Sequence, residues 1–423
     1  MKFISTHNRN LTSGFREAVL SGLAPDEGLW VPALIPRVHA GKWAELKKAS
    51  LVELGVELMR PYVVNELTDN ELEEIIAETF QFDIPLVSLD VDLATLELFH
   101  GPTLAFKDVG ARFLSRTISK LSSEPRTILV ATSGDTGSAV ANGFLGIEGV
   151  EVVLLYPSGR ISHLQEQQLT TIGQNITALE VQGSFDDCQD MVKRAFMDKE
   201  LSTRNLTSAN SINLARWMPQ GIYHAWCVLQ ADQPETVLSI PSGNFGNLAS
   251  GLLMYRMGIP VKRFIAATND NSIVPEYLDS GKFEPRSSVA TISNAMDVGN
   301  PSNFVRMLSL FEDHDVKMTD MVQGFSLNDT KTRKTIKEVQ EKYGYTCDPH
   351  GAVAYAALKE LQREGEYGVF FETAHPAKFG DIVNPVLGSE VEIPLRLEKF
   401  LHLEKSSIVL PANYEKFKQF LLS

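Results

Sequence analysis

Cysteine is scarce in this chain. Cys188, Cys227 and Cys347 are far apart, odd in number and without a C-x-x-C pair, which argues against a disulfide framework and a zinc site. A reducing cytoplasm is the expected location. No apolar run approaches the length of a membrane span, and the residues from Met1 to His7 lack the apolar stretch of a secretion signal. Excess positive charge is missing as well. The net charge is -14, so the mean field repels nucleic acid and anionic membranes, and neither is expected as a partner. An anionic small molecule is not excluded, because a local cluster of Arg, Lys and backbone N–H groups can prevail inside a cleft. There is no internal repeat, low-complexity tract or disordered linker.

What is present is enough chain for two or three domains, since 423 residues exceed the size at which a single core keeps growing. Hydrophobic residues at 43% and charged residues at 22% are ordinary for a globular protein. From Leu46 to about Phe80, the apolar residues Leu51, Leu54, Leu58, Leu72, Ile75 and Ile76 fall at helical spacing among acidic neighbours. Thr68-Asp69 ahead of Glu71 supplies an N-cap within this helical N-terminal unit. Beyond Leu96, short apolar runs at 127–131, 152–156, 176–181, 237–240 and 264–267 alternate with helical stretches at 138–145, 163–172, 185–196 and 248–257. That rhythm predicts an α/β fold of mostly parallel sheets covered by helices, with ligands at the C-terminal ends of strands.

Two of those strand ends carry glycine-bearing turns that open onto helices. One reads Pro241-Ser242-Gly243-Asn244-Phe245-Gly246-Asn247, the other Thr132-Ser133-Gly134-Asp135-Thr136-Gly137. Such a turn aims backbone N–H groups and the positive end of a helix dipole at one spot, where a phosphate or carboxylate fits. An ordinary strand-to-helix turn explains either one equally well. Neither has G-x-G-x-x-G spacing or a G-K-[ST] ending, so a nucleotide is disfavoured. Lys107 lies among apolar neighbours in His100-Gly101-Pro102-Thr103-Leu104-Ala105-Phe106-Lys107-Asp108. Burial would lower its pKa and make it a nucleophile toward an aldehyde. Spacing alone still favours a solvated surface lysine.

Taken together these segments resemble the threonine synthase family. The stretch from His100 to Asp108 is similar to its H-G-P-T-L-A-F-K-D motif, and the two turns, Thr373-Ala374-His375-Pro376-Ala377-Lys378-Phe379 and Gly28-Leu29-Trp30-Val31-Pro32 look like further family motifs in the expected order. The resemblance spans the whole chain. It implies two parallel-sheet α/β domains of the tryptophan-synthase-like fold (fold type II) with an additional, largely helical N-terminal unit. The expected division is 1–92 for that unit, 93–125 with 215–423 for a large domain that binds pyridoxal 5'-phosphate, and 126–214 for a small α/β domain.

By the same resemblance Lys107 carries the cofactor as a Schiff base, and Ser242, Gly243, Asn244, Phe245, Gly246 and Asn247 hold its phosphate. Thr373 faces the pyridine nitrogen, and Asp135 lies beside the 3'-oxygen where relatives carry Asn. The implied reaction, the last step of threonine biosynthesis, converts O-phospho-L-homoserine and water into L-threonine and phosphate. Ser133 and Thr136 are expected at the substrate carboxylate. Asn210, Ser211 and Arg216 resemble the family's N-S-x-N-x-x-R segment at the substrate phosphate, where Lys378 is a further candidate. His100, His350 and His375 each neighbour Gly or Pro and are read as shaping backbone rather than as bases, with Asp348 capping a helix that begins at Pro349. No metal is implied. A monomer or weak homodimer is expected, and a chain that starts near the family's core N-terminus implies no S-adenosylmethionine activation. The alternatives are another fold type II enzyme, such as a serine or threonine dehydratase, and a non-catalytic metabolite-binding homologue.

Overall fold

The structure is a computed structural model that describes residues Met1–Ser423. Two parallel sheets organise it. The larger has six strands in the order Val322–Ser326, Arg263–Thr268, Thr236–Pro241, Tyr367–Glu372, Leu93–Glu97 and Leu86–Asp90. All its pairings are parallel except the last, where Leu86–Asp90 runs antiparallel along the edge. Thr236–Pro241, Arg263–Thr268 and most of Tyr367–Glu372 are buried on both faces, which is why they read as continuous apolar runs rather than alternating ones. The smaller sheet has five parallel strands in the order Ile408–Pro411, Ile176–Gln182, Val150–Pro157, Arg126–Ala131 and Leu206–Ser208.

Helices form where the sequence placed them. Thr68 accepts a hydrogen bond from the Glu71 N–H while Glu71 reaches back to the Thr68 N–H, a reciprocal capping box that starts the helix Asp69–Thr79. Ser50 and Glu53 repeat the device for Leu51–Val63. The N-terminal unit also contains a small antiparallel sheet, with Phe3–Ser5 between Thr12–Ser13 and Trp30–Pro32.

Two segments lie outside the expected division. Leu86–Asp90, placed with the N-terminal unit, hydrogen-bonds along the edge of the six-stranded sheet. Ile408–Pro411, placed with the large domain, pairs with Ile176–Gln182 and so completes the other sheet. Behind it the helix Tyr414–Leu422 buries Phe417 and Leu421 in the core cluster that holds Leu179, Cys188 and Met191. The edge strand is apolar in sequence, Ile408-Val409-Leu410-Pro411, but only four residues long and ended by proline, and most of its side chains are exposed.

Candidate active site

The C-terminal strand ends of both sheets meet at a cleft of about 500 Å3. Every site residue singled out in the sequence except Lys378 lines it.

Lys107 is the first residue of the helix Lys107–Leu121, and the segment before it is fixed on three sides. Asp108 accepts from the Thr103 N–H at 2.9 Å and from its hydroxyl at 2.7 Å, folding the turn back on itself. A Cβ at Gly101 would lie 2.4 Å from Asp108 Oδ2, so the turn tolerates only glycine there. The Phe106 N–H donates to the Thr373 carbonyl at 2.9 Å and the His375 N–H to the Leu104 carbonyl at 3.1 Å. These bonds enclose an antiparallel bridge between Ala105 and Ala374. Lys107 and Thr373 are thereby set at a fixed separation. One turn further along the helix, a Cβ at Gly110 would lie 2.4 Å from the Arg216 carbonyl oxygen. That close approach brings Arg216 to the lysine's helix.

The charges around Lys107 are buried and ordered. Asp135, at the start of the helix Asp135–Phe144, receives Lys378 Nζ at 2.6 Å and Gln165 Nε2 at 3.0 Å. Lys107 Nζ stands 4.0 Å from its other oxygen. Burial alone would raise the Asp135 carboxyl, but Lys378 and then Lys107 hold it well below the usual carboxylate range. Asp135 is ionised. Lys107 is shifted down, first by burial and then by Lys378 and Arg216, with Asp135 opposing. Lys378 does not line the cleft, which corrects its placement at the substrate phosphate. It is fully buried and uses its donors on Asp135 and on the Thr103 carbonyl at 2.9 Å. Neither Lys378 nor Gln165 gave a sequence signal for this role, because each meets Asp135 only through the folded chain.

The 242–247 turn is built for an anion. None of the backbone N–H groups from Gly243 to Asn247 donates within the chain. Phe245 takes the left-handed conformation, φ 60°, at the N-cap of the helix Gly246–Met257. Gly243 is required because a Cβ would lie 2.6 Å from Met296 Cα. Asn247 Oδ1 faces His224 Nε2 at 2.7 Å, and its buried Nδ2 has no acceptor. Burial pushes His224 down to about 4, so it is neutral at physiological pH. In the 132–137 turn, Thr132 Oγ1 takes the Gly134 and Gly137 N–H groups at 3.0 and 2.8 Å, leaving those of Ser133, Asp135 and Thr136 without an acceptor in the chain. Thr132 was missed as the organiser of this loop.

Arg216, in the short helix Leu214–Trp217, is buried with Nε and Nη1 unpartnered. Burial lowers it to about 10, which still leaves the guanidinium charged at neutral pH. Asn210 is anchored through Nδ2 to the Ala131 carbonyl at 2.8 Å. Of the three motif histidines only His350 reaches the cleft, with Nδ1 2.5 Å from Asp348 Oδ1. Asp348 also accepts from the His350 N–H and caps the helix Pro349–Leu361. His100 pairs with Glu97 at 2.6 Å, and His375 Nδ1 accepts from the Ala377 N–H at 3.2 Å.

The residues fit pyridoxal phosphate. A lysine with a depressed pKa stands between a turn of unpartnered N–H groups and a hydroxyl residue, Thr373, and two further donor clusters remain for a substrate with two anionic ends. No helix is long and apolar enough to cross a membrane.

Comparison with known proteins agrees with this reading. Residues 85–369 match the family model described as pyridoxal-phosphate dependent enzyme, residues 2–80 that of the threonine synthase N terminus, and residues 351–421 that of the threonine synthase C-terminal part. The chain is 43% identical to threonine synthase of Haemophilus influenzae, over 96% of each chain. The crystal structure of threonine synthase from Escherichia coli superposes with a TM-score of 0.96 at 41% identity, covering 100% of this chain and 99% of that one. A pyridoxal-phosphate-bound threonine synthase from Brucella melitensis gives 0.92 at 34% identity, covering 100% and 98%. On the strength of the site and of these matches, the chain belongs to the threonine synthase family of pyridoxal-phosphate-dependent enzymes.

Proposed function

We propose that this enzyme turns O-phospho-L-homoserine and water into L-threonine and phosphate, with the roles below carried by the residues of the cleft. The observation that carries the reading is Arg216: a buried guanidinium with two unpartnered donor atoms, opening on the same cleft as Lys107. Leaving such donors buried without an acceptor costs stability unless a ligand supplies one, and phosphate does so bidentately.

Ser242 and the N–H groups from Gly243 to Asn247 would hold the cofactor phosphate, and Thr373 would face the ring nitrogen. Bound pyridoxal phosphate supplies an aldehyde for covalent attachment and a ring that withdraws electrons from substrate carbons as protons leave them. Lys107 Nζ, whose pKa burial lowers, would be the amine that holds the cofactor and, when free of it, the group placed to take a proton from substrate Cα. A neutral hydroxyl at Thr373 favours a protonated ring less than a carboxylate would, so electron withdrawal is moderate. Asp135 would sit at the cofactor's 3'-oxygen, held ionised there by Lys378.

At the substrate, Ser133, Thr136 and the N–H groups of their turn would take the carboxylate, while Arg216, Ser211 and Asn210 take the phosphate that departs from Cγ. Expulsion of phosphate beside a guanidinium is favoured because the charge developing on the leaving oxygen is met by donors already in place. Loss of a Cβ proton would supply the electrons that expel phosphate, Cγ would then gain a proton, water would add its OH at Cβ, and Cα would regain the proton it lost.

The two sheets are proposed as the cores of the two domains, with Leu86–Asp90 joining the large one and residues from Ile408 onward the small one. Buried, unpaired cysteines support a cytoplasmic enzyme, and a net charge of -14 one without nucleic-acid or anionic-membrane partners; a monomer or weak dimer is proposed by resemblance alone. The test is Lys107→Ala, expected to abolish both the visible absorbance of lysine-bound cofactor and turnover. Borohydride trapping of cofactor on another lysine overturns the assignment. Phosphate release from phosphohomoserine, against 2-oxobutanoate from threonine, separates this activity from a dehydratase.

A further inference from the structure

A line of hydrogen bonds runs beneath the substrate end of the cleft and ends on the Ser211 hydroxyl. It starts at Arg306, which is 0% exposed, lies 4.9 Å from the Trp217 ring and has no carboxylate partner. Its guanidinium donates to the carbonyl oxygens of Ser211 and Ile212 and, at 2.6 Å, to Asn303 Oδ1. An arginine only donates, so the Asn303 carbonyl must face it and the Asn303 NH2 must point away. There Nδ2 donates to Ser211 Oγ at 2.9 Å. From the opposite side the Ser302 N–H, also a pure donor, fixes Asn244 Oδ1 at 2.6 Å, and Asn244 Nδ2 donates to Ser211 Oγ at 2.9 Å. Two donors fill the hydroxyl's two lone pairs, and only its own proton is left. No acceptor in the chain takes that proton, and Ser211 lines the cleft with Arg216. The arrangement is close-packed, since a Cβ at Gly246 would lie 3.3 Å from Ser211 Cβ and 3.4 Å from Asn303 Nδ2.

We propose that Asn303 and Arg306 are positioning residues that lock the Ser211 hydroxyl as a hydrogen-bond donor into the cleft, so that this end of the site selects a fully deprotonated phosphate. The inference rests on the reading of Ser211 and Arg216 as the substrate-phosphate end. A serine free to rotate can accept the O–H of a monoprotonated phosphate as readily as it donates to a dianion. Ser211 has lost that choice. Beside it Arg216 offers donors only, so a protonated phosphate oxygen meets no acceptor on either side chain and is disfavoured. Asn303 touches neither the reacting carbons nor the phosphate in this scheme. It acts through Ser211.

The probe is inorganic phosphate bound to the holoenzyme, followed by calorimetry, in Ser211→Ala, Asn303→Leu and the double variant, with the visible cofactor spectrum as control. Each single variant should weaken phosphate binding by roughly tenfold, the worth of one hydrogen bond to a charged group. The double variant should be no weaker than the weaker single one, because Asn303 acts only through the Ser211 hydroxyl that Ser211→Ala removes. In the parent enzyme affinity should rise as the pH passes the second ionisation of inorganic phosphate, and Asn303→Leu should flatten that rise because its Ser211 is again free to accept. Should Asn303→Leu not fold, Asn303→Ser removes the same donor with less change of shape. Losses that add in the double variant, or an unaltered pH profile in the Asn303 variants, overturn the proposal. Unchanged phosphate binding in both Ser211→Ala and Arg216→Lys instead removes the phosphate end itself, which is a different failure.

Discussion

Replacing Lys378 by Met leaves Asp135 without the partner that holds it. The lost contact is a 2.6 Å ion pair between fully buried groups, and removing one member of such a pair strands the other charge at a cost of about 3–5 kcal/mol. Lys107 is near enough to take over in part: at 4.0 Å, two unit charges interact by about 4 kcal/mol in an effective dielectric near 20. The hydrogen bond from Lys378 to the Thr103 carbonyl, about 0.5–1.5 kcal/mol, is lost in addition. A net destabilisation of about 3 kcal/mol is therefore expected in denaturant unfolding of the apoenzyme, with a much smaller loss in Asp135→Asn/Lys378→Met, where no charge is stranded. The pH dependence has a definite sign. A carboxyl depressed in the folded state contributes stability above its unfolded pKa of about 4 and loses it as pH falls through the folded value. Lys378→Met raises that folded value, so acid unfolding should begin at higher pH than in the parent. Lys107 should respond in the same variant. It loses the repulsion of Lys378 and gains more of Asp135, both of which raise its pKa, so reaction of the apoenzyme with pyridoxal phosphate should need higher pH. A loss under about 1 kcal/mol, as for a solvent-exposed pair, together with an unmoved pH midpoint for cofactor attachment, would refute the reasoning.

Arg216→Lys exchanges a fork of donors for one ammonium and should weaken binding of inorganic phosphate by about 1–3 kcal/mol; equal affinity for parent and variant removes Arg216 from the site. Gly110→Ala puts a Cβ against the Arg216 carbonyl and should cost about 1–3 kcal/mol by overpacking, seen as a lower Tm. The same change should raise the KM for phosphohomoserine through displaced Arg216, and an unchanged KM shows that the helix contact does not position the arginine. Thr68→Ala removes one cap remote from the cleft and should lower stability by about 1 kcal/mol with kcat unaltered.

What the chain reveals before folding depends on whether a role is local. Strands such as 127–131 and 237–240 are buried on both faces, so hydrophobicity alone marks them. Thr68, Asp348 and the glycine-bearing turns act through backbone a few residues away, and their chemistry is visible at short spacing. Lys378 shows the opposite case. Its motif suggested a substrate ligand, yet its partner is Asp135, a contact made only where the loops of the two sheets converge. Asn303 and Arg306 were silent for the same reason: a buried arginine satisfied by carbonyl oxygens on distant segments has no spacing to betray it. The edge strand Ile408–Pro411 is apolar but only four residues long, and its partner Ile176–Gln182 lies far away in sequence, so nothing local shows which sheet it joins.

That edge strand constrains how the protein is made. Its neighbour Ile176–Gln182 leaves the ribosome long before it, and until residue 422 is synthesised the nascent sheet presents an open strand edge and the uncovered surface later sealed by Phe417 and Leu421. Open edges and bare apolar surface are what promiscuous strand pairing requires. The five-stranded sheet therefore cannot mature as an early cotranslational unit.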